Sequence, residues 1–185
     1  MVRGALLRAA LIGAVLAAGP AGADQTDPRL PELFERLAAA EDGATARILE
    51  QRIWAIWGET GDPESASLLE QGSVAMANRR WAEAQRAFDA LVAQAPGFAE
   101  GWNKRATLYW LMGDHAASVR DIRRTLALEP RHFGALSGLG LIFMAADRPE
   151  AAIAAFEAAL RVHPFLPGAR DHIELLRRRR GGEPL

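Results

Sequence analysis

Three prolines, Pro96, Pro130 and Pro164, stand 34 residues apart. When segments 65–98, 99–132 and 133–166 are laid over one another, much more than the prolines coincides. The fourth place holds Leu68, Trp102 and Leu136, and the eleventh holds Ala75, Tyr109 and Phe143. Small residues Ala84, Ser118 and Ala152 coincide, followed four positions on by Phe88, Ile122 and Phe156, and then by Leu91, Thr125 and Ala159. A fixed period over three gapless units restricts the chain to architectures built by stacking one supersecondary unit.

The content of each unit sets the element type. Apolar and small residues recur at three- and four-residue steps in two successive runs, which predicts two amphipathic helices per unit. Alanine and leucine supply 61 of the 185 residues, whereas Val, Ile and Thr together supply 19, so composition favours helix over sheet. Turn residues separate the runs at Asn78-Arg79, Gly113-Asp114 and Asp147-Arg148-Pro149. Gly113 suits a left-handed helix C-terminus and Pro149 a first helical turn. The three periodic prolines close the second helix of each unit, because proline cannot continue a helix interior.

These residues resemble the tetratricopeptide repeat, a helix–turn–helix unit of the same period with a W-x₂-L-G-x₂-Y…A-x₃-F…P pattern. The third unit matches with Leu136, Leu139, Gly140, Phe143, Ala152, Phe156, Ala159 and Pro164. The second keeps Trp102, Tyr109, Ser118, Ile122 and Pro130 but has Arg105-Ala106 where the pattern has Leu-Gly. The first keeps Gly72, Ala84, Phe88 and Pro96 and departs at Gln71 and Ala75. The stretch Phe98–Asp114 also resembles a group of small exported bacterial repeat proteins. The resemblance implies an all-α fold: a right-handed superhelical stack of helix–turn–helix repeats, an α-solenoid with helical caps.

Outside the repeats, residues 1–23 read as a signal peptide. Arg3 and Arg8 precede the apolar run Ala9–Ala18, Gly19-Pro20 breaks it, and Ala21-Gly22-Ala23 supplies a cleavage site before Asp24. An uncleaved anchor is the alternative. The expected location is the periplasm, with no stable membrane span after cleavage. Residues 24–63 are expected to form an N-terminal capping helix pair, Pro31–Ala40 and Ala44–Glu59, bounded by the Gly58–Pro63 turn stretch. Residues 167–180 are expected to form a C-terminal capping helix that turns Ile173 and Leu176 to the third repeat, with a frayed tail at 181–185. A stack of helix pairs has two raw ends, and such helices cover them.

Catalytic chemistry finds no foothold in the sequence. There is no cysteine, hence no thiol nucleophile and no cysteine zinc site. His115, His132, His163 and His172 lack the spacing of helical metal ligands. No phosphate-cradling glycine loop and no Gly-x-Ser-x-Gly elbow occur. Gly138 and Gly140 fall inside a predicted helix as packing glycines. A formal net charge of −1 gives no reason to expect nucleic acid. The run Arg177–Arg180 fits cations in a last helical turn, where they complement the helix dipole, better than it fits an anionic surface. Trp54 and Trp57, three residues apart, read as core packing. The expectation is no enzyme, no cofactor and no metal.

The resemblance also implies where a partner would sit. In this repeat family the first helix of each unit lines a concave groove. Carried over, the groove residues are Glu100, Asn103, Lys104, Thr107, Trp110 and Leu111 of the second unit. Leu69, Glu70, Ser73 and Met76 come from the first unit, and Ser137, Leu141 and Met144 from the third. Amide and ammonium groups could position a main chain while Trp and Met bury an anchor. Lys104 is the sole lysine, whereas the family's groove for acidic C-terminal tails uses several converging cations. The expected function is a non-catalytic periplasmic protein- or peptide-binding adaptor or scaffold. Rival readings are an oligomerising assembly component, an accessory subunit of a cell-envelope enzyme complex, and a hydrolase without a recognisable signature.

Overall fold

The computed structural model describes residues 24–181. The signal peptide expected at 1–23 and residues 182–185 of the expected tail lie outside the described residues, whereas Gly181, expected in that tail, is the last residue of the final helix. Within them the chain is all helical: α1 Leu30–Ala38, α2 Gly43–Gly58, α3 Pro63–Ala77, α4 Trp81–Gln94, α5 Ala99–Leu111, α6 His115–Leu128, α7 Phe133–Ala145, α8 Pro149–Val162 and α9 Ala169–Gly181. The pairs α3–α4, α5–α6 and α7–α8 are the three repeats. Each pair packs internally and against the next, so the stack is continuous.

The turn inside each repeat is built the same way three times. Arg79, Gly113 and Asp147, again 34 residues apart, hold positive φ of 56°, 80° and 51°. In each case the next residue's N–H reaches back to a carbonyl five residues earlier: Arg80 to Ala75, Asp114 to Tyr109 and Arg148 to Phe143, at 2.8–2.9 Å. This double closure satisfies carbonyls that a helix end leaves without partners. Gly113 is at ease in the left-handed region, as its sequence position suggests; Arg79 and Asp147 adopt it with a Cβ. Helix starts are fixed by side-chain acceptors: Asp42 for α2, Asp62 for α3, Asp114 for α6 and His132 for α7. Pro96, Pro130 and Pro164 each follow the end of a second helix by two residues.

Packing within the repeats explains where the sequence departs from its pattern. A Cβ on Gly140 would meet the Phe156 ring at 2.7–2.8 Å, and Gly72 meets Phe88 in the same way. The second repeat carries Ala106 at the glycine position and Ile122 at the phenylalanine position, both buried in one cluster. A larger first residue is thus matched by a smaller second one, which keeps the local volume filled. Arg105, where the pattern has leucine, is only 16 % exposed. Its Nε and Nη2 donate to Asp121 at 2.7 and 3.0 Å, and its Nη1 donates to Asp89 at 2.8 Å. The guanidinium lies over the Trp102 and Tyr109 rings. Burial on its own would lower the Arg105 pKa, but the Asp121 and Asp89 carboxylates hold it above its ordinary value.

The two ends are covered differently. At the C-terminal end, Ala169, Ile173 and Leu176 of α9 share a core with Ala152 and Phe156 of α8, as a capping helix should. The helix begins at Ala169 and not at Pro167, because Gly168 turns the chain at φ 73°. The N-terminal pair forms as expected but does not lie on α3 as a preceding unit would. Its core of Leu30, Leu33, Phe34, Leu37, Leu49, Ile53, Ile56 and Trp57 closes on Phe133 of α7, with Val162 and Leu166 packed beside it. The hairpin therefore folds back over the second and third repeats and shields their apolar inner surface, leaving Val74 of α3 42 % exposed at the front of the stack. The extended backbone of Glu59 and Asp62 carries the chain between the two directions.

Candidate binding groove

The inner face of the stack is lined by the first helices of the repeats, and α2 crosses it. Why α2 settles there follows from α7, whose sequence Phe-Gly-Ala-Leu-Ser-Gly-Leu-Gly-Leu-Ile-Phe-Met-Ala contains no charged residue. A helix that apolar has to be covered on more than one side. One side packs on α8 and another receives the aromatic cluster of α2. Trp54 and Phe133 meet edge to face with centroids 5.3 Å apart, and Trp57 stacks on the His132 ring at 4.2 Å, within 6° of parallel. Gly134 makes this approach possible, since a Cβ there would meet the Trp54 ring at 2.7–2.9 Å.

Polar links fix the seam. His132 Nδ1 accepts from the Ala135 N–H at 3.1 Å, so its proton sits on Nε2 and is donated to Glu100 Oε2 at 3.1 Å. Asn103 Nδ2 donates to the same oxygen at 2.9 Å, and Lys104 Nζ stands 3.3 Å from Oε1. His163 Nε2 lies 3.2 Å from Glu50 Oε2, joining the end of α8 to α2. Gln25 bridges the segment before α1 to the start of α5: its Nε2 donates to the Gly97 carbonyl at 2.7 Å and its Oε1 accepts from the Ala99 N–H at 3.1 Å.

Above this seam a cavity of about 270 Å³ remains open between α2, α5 and α7. Asn103, Thr107 and Trp110 line it from α5, Ser137 and Leu141 from α7, and Glu50 and Trp54 from α2. Ser118 and Ile122 of α6 form its floor. Trp110 is held in place by stacking on His115 at 4.7 Å, and the Thr107 hydroxyl donates to the Asn103 carbonyl at 3.0 Å. Among the described residues, Glu50 is the one charged group in the lining.

The thirteen residues expected to form the groove therefore divide. Asn103, Thr107, Trp110, Ser137 and Leu141 come together around the cavity. Glu100 does not face a partner: it is 3 % exposed under the hairpin and bonded to three neighbours of its own. Lys104 is tied to Glu100 and stays outside the cavity lining, and Leu111 is exposed beyond it. Leu69 and Met76 are half-buried against the Phe88 core, and Ser73 is half-buried on the same helix. Glu70 belongs to the outer cleft with Leu68, Val74, Arg80 and Arg86. Met144 packs toward Leu176 at the other end of the stack. Glu50 and Trp54 are the lining residues that repeat register could not reveal, since they lie outside the repeats. Among the described residues no three His, Asp or Glu side chains converge as a metal site.

Comparison with known proteins agrees with this architecture. A family model described as tetratricopeptide repeat matches residues 69–121 and 103–167. A TPR repeat-containing protein of Rhizobium etli is 32 % identical over 154 residues, covering 83 % of this chain and 76 % of that protein. Among solved structures, MamA is similar at TM-score 0.59 and 19 % identity, over 81 % of this chain and 80 % of its own. The Sgt2 TPR domain of Aspergillus fumigatus is similar at TM-score 0.60 and 24 % identity, over 67 % and 87 %. The first TPR of Spaghetti, solved bound to the HSP90 peptide SRMEEVD, is similar at TM-score 0.61 and 19 % identity, over 64 % and 94 %. The periodic sequence, the repeated turn geometry and these matches together place the chain in the tetratricopeptide repeat family.

Proposed function

We propose that this protein is a non-catalytic adaptor, exported to the periplasm, that holds a peptide segment of a partner protein in its concave cavity. The observation that carries the reading is the open cavity between α2, α5 and α7, where Trp110 and Leu141 offer apolar surface beside the Asn103 and Ser137 polar groups. Mostly apolar concave sites with a few placed polar groups are the usual form of a binding site. The Spaghetti structure, which holds a peptide, supports the same use of this fold. The charged start, apolar run and small-residue site of residues 1–23 support export.

One capture experiment tests both parts. The tagged chain, recovered from the periplasmic fraction with its partner, is expected to have an intact mass beginning at Asp24. Trp110→Ala is expected to weaken capture by roughly 2 kcal/mol or more, the scale of a buried aromatic anchor. Arg178→Ala, on the exposed end of α9, is expected to leave it unchanged. Full-length chain in the cytoplasm would refute export. Capture undiminished by Trp110→Ala would refute the groove.

A second reading has its own observation. The front of α3–α4 leaves Leu68, Val74 and Ala87 along an open cleft, a surface that fits self-association through the first repeat. Molecular mass that stays monomeric across a wide concentration range would dismiss it.

A further inference from the structure

We infer that the cavity selects peptide segments that carry a large apolar side chain next to a lysine or arginine, and that Glu50 reads the cation. The inference rests on the groove reading above and adds the chemistry of the occupant. It follows from which polar groups around the cavity are already committed and which are still free.

The other carboxylate beside the cavity is neutralised by the chain itself: Glu100 is bonded by Lys104, His132 and Asn103. Glu50 is different. Its Oε1 accepts from the Trp54 indole N–H at 3.3 Å and its Oε2 faces His163 Nε2 at 3.2 Å. Among the described residues no Lys or Arg is an ion-pair partner of it. Each carboxylate oxygen can accept a second hydrogen bond, so the group keeps capacity for a donor brought by a ligand. It is also partly shielded, with about a fifth of its side chain exposed. A charge-assisted bond there is screened less than one on the open surface.

The rest of the lining points the same way. Asn103 spends one of its two amide N–H donors on Glu100 and keeps both lone pairs of its Oδ1 for a ligand donor. Thr107 spends its hydroxyl proton on the Asn103 carbonyl. Among the described residues no Lys or Arg lines the cavity, and the single lysine nearby is held by Glu100. A site so rich in acceptors and so poor in cations fits a ligand that brings donors: main-chain N–H groups and an ammonium or guanidinium. It rejects an acidic tail, whose carboxylates would face Glu50 without a compensating charge. Trp54, Trp110 and Leu141 supply the apolar walls for the neighbouring side chain.

The test uses three blocked octapeptides of a Gly/Ser background, each with one central Phe, flanked by two Lys, by two Glu, or by no charge. Binding to the Asp24–Leu185 chain is measured by calorimetry at low salt. The Lys-flanked peptide is expected to bind at least about tenfold more tightly than the Glu-flanked one, as one charge-assisted bond allows. Glu50→Gln is expected to bring the two within about threefold of each other, a loss of most of one such bond. Trp110→Ala is expected to weaken all three peptides alike and to keep their ratio, which shows that selection resides in Glu50 and not in a disturbed fold. Equal or tighter binding of the Glu-flanked peptide overturns the inference, as does a preference that survives Glu50→Gln, or no binding of the Lys-flanked peptide. None of these outcomes touches the groove reading, which stands or falls with partner capture by Trp110→Ala.

Discussion

Trp57→Ala is expected to destabilise the protein by about 3–5 kcal/mol, the range for deleting a fully buried large aromatic. Trp57 is 1 % exposed and touches ring after ring: His132, Phe133, Phe34 and Trp54 all lie with centroids within 4.2–5.8 Å. It is the point at which the hairpin core and the third repeat become one core. In a chain of this size each kcal/mol corresponds to roughly 2–4 °C, so the thermal transition should fall by ~6–20 °C. Trp57→Phe should cost less than Trp57→Ala, since a phenyl ring keeps part of the buried area and of the stacking on His132. Ile48→Ala, on the exposed side of α2, should change little. The check is thermal melting followed by far-UV circular dichroism. A Trp57→Ala chain that melts with the wild type would show the hairpin detached from the repeats.

The second large effect is at the Arg105 network. Asp121→Ala removes the carboxylate that accepts two of the three Arg105 hydrogen bonds and leaves Asp89, itself half exposed, as the remaining partner. Stranding a buried charge in this way costs about 3 kcal/mol, the low end of the ~3–5 kcal/mol range because Arg105 is not fully enclosed. The double variant Arg105→Leu with Asp121→Ala restores the leucine of the repeat pattern and removes both charges. It should recover most of the loss, because a buried ion pair is often no more stable than apolar packing of like volume. By contrast, the Arg29–Glu59 pair is half exposed at both ends, and Glu59→Ala should cost less than about 1 kcal/mol. Urea titrations of the three variants beside the wild type make the comparison. If the double variant is as unstable as Asp121→Ala alone, the stranded charge is not the cause.

Much of the fold could be read from the residues because it is written locally. The 34-residue period, the turn dipeptides and the closing prolines are short-range signals, and each reappears in the structure as a cap, a left-handed turn or a helix end. The Arg105-Ala106 departure was visible too, but its meaning was not, since it depends on Asp89 and Asp121 sixteen residues to either side. What could not be read was the direction of the N-terminal hairpin. Gly61-Asp62-Pro63 announces a boundary and says nothing of where the preceding helices go. Two hints existed: a first helix of the third repeat with no charge along it, and Gly134 at a place where a neighbouring ring needs room. Because the hairpin covers the lower groove, Glu100, which the repeat register names as a groove residue, is buried. The same cause hid Glu50 and Trp54, which no repeat position could point to.

Site-specific photo-crosslinking tests most directly whether the partner sits in this cavity. A photoreactive amino acid is placed at Thr107, which lines the cavity, and in a second chain at Arg120, exposed on α6. Each chain is irradiated with the native extract and the adducts are identified by mass spectrometry. The account predicts a discrete partner adduct from position 107, lost on adding Trp110→Ala, and none from position 120. An adduct from position 120 with none from position 107 would contradict it and move recognition to the outer face of the stack.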